Sequence, residues 1–227
     1  MAIRDAPKHD GATMLARGLY AIVDVELTIR AGFDVLSFAE AVLDARPAAI
    51  QLRAKELGAR EHLQLLKGVV RRAESQHIPV YANDRPDLAI LAGCSGVHVG
   101  QSDVSVPDVR QLDPHLQVGL STANQEQLQE ALALEPDYVA VGPVFPTNSK
   151  ADADPAVGMR FLAMASQSAK QASIPLVAIG GIDHFRAASV AALAPLGAAI
   201  SALIPPVPHL GTVSMLTRAL HASLGGT

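Results

Sequence analysis

Eight short apolar runs, each followed by a segment of helical period, dominate the sequence from about residue 18 onward. The runs predict strands at 19–23, 49–52, 80–82, 96–99, 117–120, 138–141, 176–179 and 198–203. The segments between them predict helices at 35–45, 59–76, 87–92, 107–111, 125–134, 159–170, 184–193 and 213–223. Runs rich in Val, Ile and Ala are typical of parallel strands that helices cover on the outside. Eight such units predict an α/β fold, a single (β/α)8 TIM barrel.

We expect one domain, with a short N-terminal extension at 1–17 and the barrel at 18–227. A doubly wound Rossmann fold would require a glycine fingerprint directly after the first strand. The chain has Val23-Asp24-Val25-Glu26 there, which argues against that fold. No Gly/Ser-rich or Pro-rich linker divides the chain.

Composition excludes several classes of partner. The 18 basic and 22 acidic residues leave a net charge of −4, which gives no reason to expect nucleic acid or an anionic membrane surface as a partner. The N-terminal segment lacks the apolar run of a secretory signal, and no stretch is long enough to span a bilayer. With one cysteine, Cys94, the chain makes no internal disulfide, and we expect a cytoplasmic protein.

Three polar residues mark the end of the second predicted strand. In Gln51-Leu52-Arg53-Ala54-Lys55, the period of two places Gln51, Arg53 and Lys55 on one face. Functional residues of TIM barrels lie at the carboxyl ends of the strands. The two cations and the amide therefore predict an anion site, although a solvated strand end is the alternative.

Two carboxylates follow the next two predicted strands, Asp84 in Asn83-Asp84-Arg85 and Asp103 in Gly100-Gln101-Ser102-Asp103. Hard oxygen ligands at neighbouring strand ends could hold Mg²⁺, whose shell a diphosphate would complete. Either residue alone has a structural alternative, since Asp84 could cap the following helix and Asp103 could fix a turn. The pair beside a cationic strand favours the metal site.

The fifth and sixth predicted strands lead into further polar residues. Ser121 and Thr122 enter a helix, where hydroxyls serve equally well as phosphate contacts or as helix caps. The segment 142–150 is long, carries hydroxyls and ends in Lys150, which suggests a mobile lid.

Two glycines follow the seventh predicted strand, and a serine falls within the eighth. Gly180 and Gly181 precede a helix, and Ile200-Ser201 falls in the eighth predicted strand. Paired glycines let backbone N–H groups approach an anion, and the loops after strands seven and eight of a TIM barrel often bind phosphate. The residues at these strand ends thus predict two anion sites. They include no evident nucleophile with a partner base. His98 is expected to pack beneath the site and Cys94 to be a small buried residue.

Six motifs in order carry a family resemblance. They lie at 51–55, 83–85, 96–103, 119–121, 147–150 and 178–182, and together they resemble those of the thiamine-phosphate synthases from about Tyr20 to Leu203. The resemblance implies a transferase of thiamine biosynthesis that joins 4-amino-5-hydroxymethyl-2-methylpyrimidine diphosphate to a thiazole phosphate, or its carboxylate, and releases pyrophosphate. It implies a dissociative reaction in which diphosphate leaves before the thiazole nitrogen attacks.

The same resemblance implies roles for individual residues. Contacts to the pyrimidine diphosphate are implied for Gln51, Arg53, Lys55, Asn83, Ser121 and Lys150, of which Arg53, Lys55, Ser121 and Lys150 would be catalytic. Contacts to the thiazole phosphate are implied for Thr147, Asn148, Ser149, Gly180, Gly181, Ile200 and Ser201. Asp84 and Asp103 would hold Mg²⁺. The partners would be these small molecules, with no nucleic acid and no membrane, and the protein would be a monomer or homodimer.

Three departures from the family pattern leave alternatives open. Ala123 stands where a histidine is common, Ser149 stands where threonine is commoner, and Asp183-His184-Phe185 replaces a sequence that usually contains asparagine. One alternative is a thiazole tautomerase, in which that histidine is thought to be catalytic, so Ala123 argues against it. The other is a barrel that binds phosphorylated ligands without turnover.

Overall fold

The fold is a closed barrel of eight parallel strands in sequence order, given by a computed structural model that describes residues 15–147 and 155–227. The strands are β1 (Gly18–Asp24), β2 (Ala49–Arg53), β3 (Val80–Asn83), β4 (Gly96–Val99), β5 (Gln117–Thr122), β6 (Tyr138–Val141), β7 (Leu176–Ile179) and β8 (Leu196–Ala199). The helices are α1 (Val25–Arg30), α2 (Val35–Leu43), α3 (Ala59–Ala73), α4 (Pro86–Ala92), α5 (Val106–Leu112), α6 (Gln125–Ala133), α7 (Gly158–Ala172), α8 (Ala187–Ala191) and α9 (Leu210–Ser223). Two 3-10 helices cover Glu74–Gln76 and Ser201–Leu203. The predicted TIM barrel is confirmed.

Two apolar layers hold the barrel. Because side chains alternate across a strand, Leu19 and Val23 of β1 pack outward against the helices, whereas Tyr20 and Ile22 belong to the smaller interior cluster. The strands are buried on both faces, which explains why their sequences read as continuous apolar runs.

The last predicted strand, 198–203, was placed wrongly. The strand β8 covers Leu196–Ala199, and Ser201–Leu203 forms a 3-10 helix instead. The run from Leu196 to Ile204 is apolar apart from Ser201, so the pattern does not locate the strand within it. The strand is located by its pairing with the two neighbouring strands, since Gly197 lies opposite Leu19 of β1 and Ala178 of β7.

Two helices also differ from the prediction. The helix α1 was missed, and it begins directly after β1 because the Asp24 carboxylate accepts the Leu27 amide at 2.9 Å. The helix predicted at 184–193 is the shorter α8, Ala187–Ala191. Asp183 accepts the amides of Phe185 and Arg186 in a turn that occupies the residues before it.

Within the described residues, no helix combines the length and the apolar character needed to cross a membrane.

Candidate active site

A cavity of about 740 Å³ opens at the carboxyl ends of the strands. Its lining includes most of the predicted site residues, namely Arg53, Lys55, Asn83, Asp84, Asp103, Ser121, Thr147, Gly180, Gly181, Ile200 and Ser201. Gln51 is 2% exposed and is not part of the lining. Asn148, Ser149 and Lys150 lie outside the described residues. The cavity therefore brings together predicted site residues from seven of the eight strand ends.

Arg53 lies at the end of β2 and reaches its neighbour strand. Its guanidinium donates to the Asp24 carboxylate, which is nearly buried and also caps α1. The sequence reasoning missed Asp24, although its position at the end of β1 was a usable signal. The ion pair fixes one guanidinium nitrogen and keeps the remainder of a planar donor set beside the cavity.

Lys55 lies in the loop after β2, and its ammonium group pairs with Asp84. The loop is held by Glu26, which accepts the amides of Lys55 and Glu56 at 2.8 and 2.9 Å. Burial opposes ionisation of Glu26, but these hydrogen bonds and the nearby charge of Arg53 outweigh it and lower the pKa. Glu26 therefore stays ionised and anchors the loop that carries the lysine.

Asp84 adopts a left-handed backbone conformation with φ of 61°, and its amide donates to the His98 carbonyl at 2.8 Å. Aspartate is among the few residues that tolerate this conformation. The helix α4 that follows has Arg85 at its N-cap and no side-chain cap. The alternative that Asp84 caps this helix is therefore wrong, and its carboxylate faces the cavity.

Asp103 does fix a turn, since its Oδ2 atom accepts the Gly100 amide at 2.8 Å. Burial and the neighbouring carboxyl group of Asp84 raise its pKa, against the opposing effects of that amide and Lys55. Two carboxylates that disfavour each other's ionisation gain from a shared cation. Asp103 therefore fixes a turn, and its carboxyl group also lies close enough to that of Asp84 to raise its pKa.

The carboxylate pair suits Mg²⁺ because this ion is commonly held by one or two carboxylates, with waters and substrate phosphates in the remaining positions. A dedicated cage is not required, which agrees with the finding that the described residues contain no group of three or more His, Cys, Asp or Glu arranged for a metal. Asn83, also at the end of β3, leaves its Nδ2 atom buried without a partner among the described residues. A buried amide donor on the wall of such a cavity is suited to an anionic ligand.

Ser121 is hydrogen-bonded to a histidine, a pair that the sequence reasoning did not foresee. Its Oγ atom lies 2.8 Å from Nε2 of His98, while Nδ1 of His98 lies 2.9 Å from the Tyr138 hydroxyl. Asn124 caps α6, and the Thr122 hydroxyl donates to the Ala140 carbonyl at 3.1 Å. Neither Ser121 nor Thr122 is a helix cap, so the Ser121 hydroxyl faces the cavity.

Gly180 and Gly181 have positive φ values of 98° and 63°. A Cβ atom on Gly180 would lie 2.4 Å from Pro143, and one on Gly181 would lie 2.7 Å from the Pro146 carbonyl oxygen. The loop after β6 also donates the Phe145 amide to the Gly180 carbonyl at 3.0 Å. The glycines are thus required by loop packing, which brings bare backbone to the cavity.

Arg186 also lines the cavity, and the sequence reasoning did not select it. Its guanidinium donates to the Gly181 carbonyl at 2.6 Å and lies 4.8 Å from the centre of the Phe145 ring. It therefore ties the loops after β6 and β7 together. Cys94 lies outside the lining and is partly buried, not fully buried as predicted, and desolvation raises the pKa of its thiol to about 12.

Comparison with known proteins gives one consistent result. The family model described as thiamine monophosphate synthase matches residues 19–204. A thiamine-phosphate synthase of Anaeromyxobacter dehalogenans is 38% identical over 208 residues, covering 91% of this chain and 87% of the relative. One of Shouchella clausii is 35% identical over 207 residues, covering 91% and 95%.

A solved structure agrees. Thiamine phosphate pyrophosphorylase from Pyrococcus furiosus superposes with a TM-score of 0.78 at 28% identity, and covers 94% of this chain and 97% of its own. The match therefore extends from the sequence motifs to the whole barrel.

Proposed function

Since the chain belongs to the thiamine monophosphate synthase family, we propose that its cavity joins 4-amino-5-hydroxymethyl-2-methylpyrimidine diphosphate to a thiazole phosphate. The products are thiamine phosphate and pyrophosphate. One observation carries this proposal: Arg53, Lys55 and the carboxylate pair line the same cavity as Gly181 and Ser201. Two anionic substrates can therefore meet in it.

The diphosphate side of the cavity is formed by the ends of β2, β3 and β4, with Arg53, Lys55, Asn83, Asp84 and Asp103. Lys55 pairs with Asp84 and Arg53 with Asp24, so binding of the diphosphate exchanges part of these contacts for phosphate oxygens. Opposite charges about 4 Å apart at an effective dielectric constant near 20 attract by roughly 4 kcal/mol. Groups that bind the diphosphate more tightly as it departs than in the intact substrate lower the free-energy barrier of the reaction.

We propose Mg²⁺ as the cofactor, held by Asp84 and Asp103. When bound, it would neutralise negative charge on the diphosphate. The raised pKa of Asp103 supports this assignment, because a cation between the carboxylates relieves their mutual repulsion.

The phosphate side of the cavity is formed by the ends of β7 and β8, with Gly180, Gly181, Ile200 and Ser201. We assign the thiazole phosphate to it, with Thr147 from the loop after β6. Asn148 and Ser149 are proposed contacts on the same loop, and Lys150 is proposed to contact the diphosphate. Backbone and hydroxyl groups are suited to a phosphate that does not react.

The proposed reaction is dissociative. The carbon–oxygen bond to the diphosphate breaks and its electron pair leaves with pyrophosphate, while the aminopyrimidine ring stabilises the methylene cation. The thiazole nitrogen then supplies the electron pair of the new carbon–nitrogen bond, and no proton is transferred. Positioning and charge stabilisation by the two sides of the cavity thus account for the rate.

The test is an assay of pyrophosphate release and thiamine phosphate formation by the purified protein. We expect both products only when the two substrates and Mg²⁺ are present. Failure to form thiamine phosphate with both substrates and Mg²⁺ would contradict the proposal. Conversion of the thiazole alone would identify a tautomerase, and binding without products would identify a non-catalytic barrel.

Three further expectations remain proposals: a cytoplasmic location, a monomeric or homodimeric assembly, and the division into an extension at 1–17 and a barrel at 18–227.

A further inference from the structure

A chain of four hydrogen bonds runs through the barrel interior and ends at the cavity. The Gln51 Nε2 atom donates to the Tyr20 hydroxyl at 3.0 Å, and the Tyr20 and Tyr138 hydroxyls lie 2.7 Å apart. Nδ1 of His98 lies 2.9 Å from the Tyr138 hydroxyl, and Nε2 lies 2.8 Å from Ser121 Oγ. Only Ser121 and His98 of these five residues line the cavity.

The amide of Gln51 favours one direction for this chain of hydrogen bonds. Tyr20 accepts from Gln51, so its single hydroxyl proton is available to Tyr138. The distances allow Tyr138 to accept from Tyr20 and to donate its own proton to Nδ1 of His98. A neutral imidazole whose Nδ1 accepts carries its proton on Nε2, and in this direction His98 is the donor to Ser121 Oγ.

We infer that Tyr20, Tyr138 and His98 are positioning residues that hold the Ser121 hydroxyl as a hydrogen-bond donor directed into the cavity. The inference rests on the proposed function in one respect, which is that Ser121 contacts the pyrimidine substrate. With its oxygen occupied by the His98 N–H group, the hydroxyl directs its proton to an acceptor atom of that substrate, such as a ring nitrogen.

This arrangement differs from an activated serine nucleophile. In a catalytic triad, a carboxylate accepts the Nδ1 proton, so that Nε2 is free to take the proton of the serine. Here a tyrosine hydroxyl occupies the place of the carboxylate. The tyrosine donates, Nε2 keeps its proton, and Ser121 is a binding group, in agreement with a reaction that needs no nucleophile from the protein.

The interior is shaped to hold this chain. Tyr20 and Tyr138 are each 1% exposed, and burial raises the pKa of both hydroxyls, so both keep their protons at every physiological pH. Gly119 of β5 pairs with Tyr138 of β6, and a Cβ atom there would lie 1.9 Å from Tyr138 Cζ. The strand sequence therefore leaves room for the ring that carries the shared hydroxyl.

The direct test is the tautomer of His98 in the substrate-free protein. Nitrogen-15 NMR of histidine-labelled protein distinguishes protonated from unprotonated ring nitrogens, and the resonances of His98 are those lost in His98→Asn. We expect a proton on Nε2 and none on Nδ1. A proton on Nδ1 would overturn the inference, because the chain would then run in reverse and Ser121 would donate to His98.

Graded variants test the effect on turnover. We expect Tyr138→Phe to reduce the Nε2-protonated fraction and to lower kcat about tenfold, the scale of one misdirected hydrogen bond. Tyr20→Phe leaves Tyr138 able to donate, so we expect a smaller loss. Tyr81→Phe is the matched control: its ring lies 5.6 Å from those of Tyr20 and Tyr138, but its hydroxyl donates to Gln117 at 2.5 Å. We expect less than about a twofold change in kcat for it.

The outcomes separate the inference from the proposed function. A purely structural role would lower kcat in proportion to the loss of thermal stability, with Tyr81→Phe affected like the others, and that result would overturn the inference. The NMR measurement needs no substrate, so the predicted tautomer would stand even if no thiamine phosphate were formed. In that case only the proposed function and the Ser121 contact would fail.

Discussion

The two sides of the cavity differ in what they are made of. The diphosphate side presents charged side chains, two of which are cations paired with carboxylates, Arg53 with Asp24 and Lys55 with Asp84. The phosphate side presents backbone at Gly180 and Gly181, shaped by the packing of the loop after β6. One side therefore depends on charge and the other on shape.

This difference separates the expected effects of substitution. Changes on the diphosphate side alter electrostatic stabilisation of the leaving group and should lower kcat with little effect on folding. Changes on the phosphate side displace packed backbone and should raise KM for the thiazole phosphate and lower stability. A substitution on one side that produced the effects expected for the other side would contradict this division.

The largest effect is expected from Asp84→Asn. Asparagine tolerates the left-handed backbone of residue 84, so the substitution removes the charge with little strain. The loss of one preorganised charged group at a reacting centre typically costs about 10²- to 10³-fold in kcat. Steady-state kinetics over a Mg²⁺ titration should show this loss and a weakened dependence on Mg²⁺.

Asp87→Asn provides the control for that variant. Asp87 is an exposed carboxylate three residues away that pairs with Arg85 at 2.6 Å and does not line the cavity. We expect unchanged kcat and Mg²⁺ dependence for it. Full activity of Asp84→Asn at low Mg²⁺ would remove the metal role of Asp84.

Lys150→Ala should give the next largest effect, and it tests to which side this residue belongs. Loss of a cation that contacts the leaving group should lower kcat by about 10- to 10²-fold. KM for the thiazole phosphate and the melting temperature should change little. A raised KM for the thiazole phosphate with normal kcat would instead assign Lys150 to the phosphate side.

Gly181→Ala should give a smaller effect of the other kind. The new Cβ atom would meet the Pro146 carbonyl oxygen and the Phe145 side chain, and the backbone has a positive φ. Strain of this type costs on the order of 1–3 kcal/mol. We expect a lower melting temperature and roughly a tenfold rise in KM for the thiazole phosphate, with kcat within a few fold of the parent.

Gly93→Ala separates strain from loop displacement. Gly93 has φ of 74° at the end of α4, but a Cβ atom there would meet nothing within 4 Å. We expect it to lose stability without a change in KM. An equal rise in KM for both variants would show that general strain, and not the shape of the phosphate side, explains the effect.

The charged residues of the diphosphate side could be predicted from sequence better than the residues that hold them in place. The alternation of strands places Arg53, Lys55, Asp84 and Asp103 at strand ends by counting alone. Their partners depend on which strands are neighbours in space, so Asp24 beside Arg53 emerges only from the pairing of β1 with β2. The same limit applies to Ser121 and His98, which pairing of β4 with β5 brings together.

On the phosphate side, the local sequence pattern is not sufficient to predict the structure. Gly180 and Gly181 were predicted from their position, but the reason for them lies in a loop more than 30 residues earlier. The end of β8 was misplaced because an unbroken apolar run contains no marker of where hydrogen-bonded pairing stops. Gln51 was predicted to contact substrate, and its burial below the cavity depends on a tyrosine from β1.

The smallest expected effect concerns stability and pH in the absence of metal. Burial and the Asp84 carboxyl group raise the pKa of Asp103, so the folded protein binds a proton there more tightly than the unfolded chain. The contribution of the Asp103 carboxyl group to the free energy of unfolding is therefore full below the ordinary carboxyl pKa of about 3.9. It is lost as the pH rises through the raised pKa of the folded protein. At neutral pH, Asp103→Asn should stabilise the metal-free protein by a few tenths of a kcal/mol, since solvent screens the group. Thermal unfolding in chelator from about pH 3 to about pH 8 should show the gain disappear in acid.

Asp34→Asn gives the opposite sign and so serves as the control. Hydrogen bonds from the Ser37 amide and hydroxyl lower the pKa of Asp34, so its contribution is present above the ordinary carboxyl pKa and is lost as pH falls. Loss of that carboxylate should therefore destabilise the protein at neutral pH and matter less in acid. The two aspartates differ in that only Asp103 faces a second carboxylate, so Mg²⁺ should stabilise the parent and Asp34→Asn but not Asp103→Asn. Equal stabilisation of all three by Mg²⁺ would show that the ion binds elsewhere and that the diphosphate side depends on its side-chain cations alone.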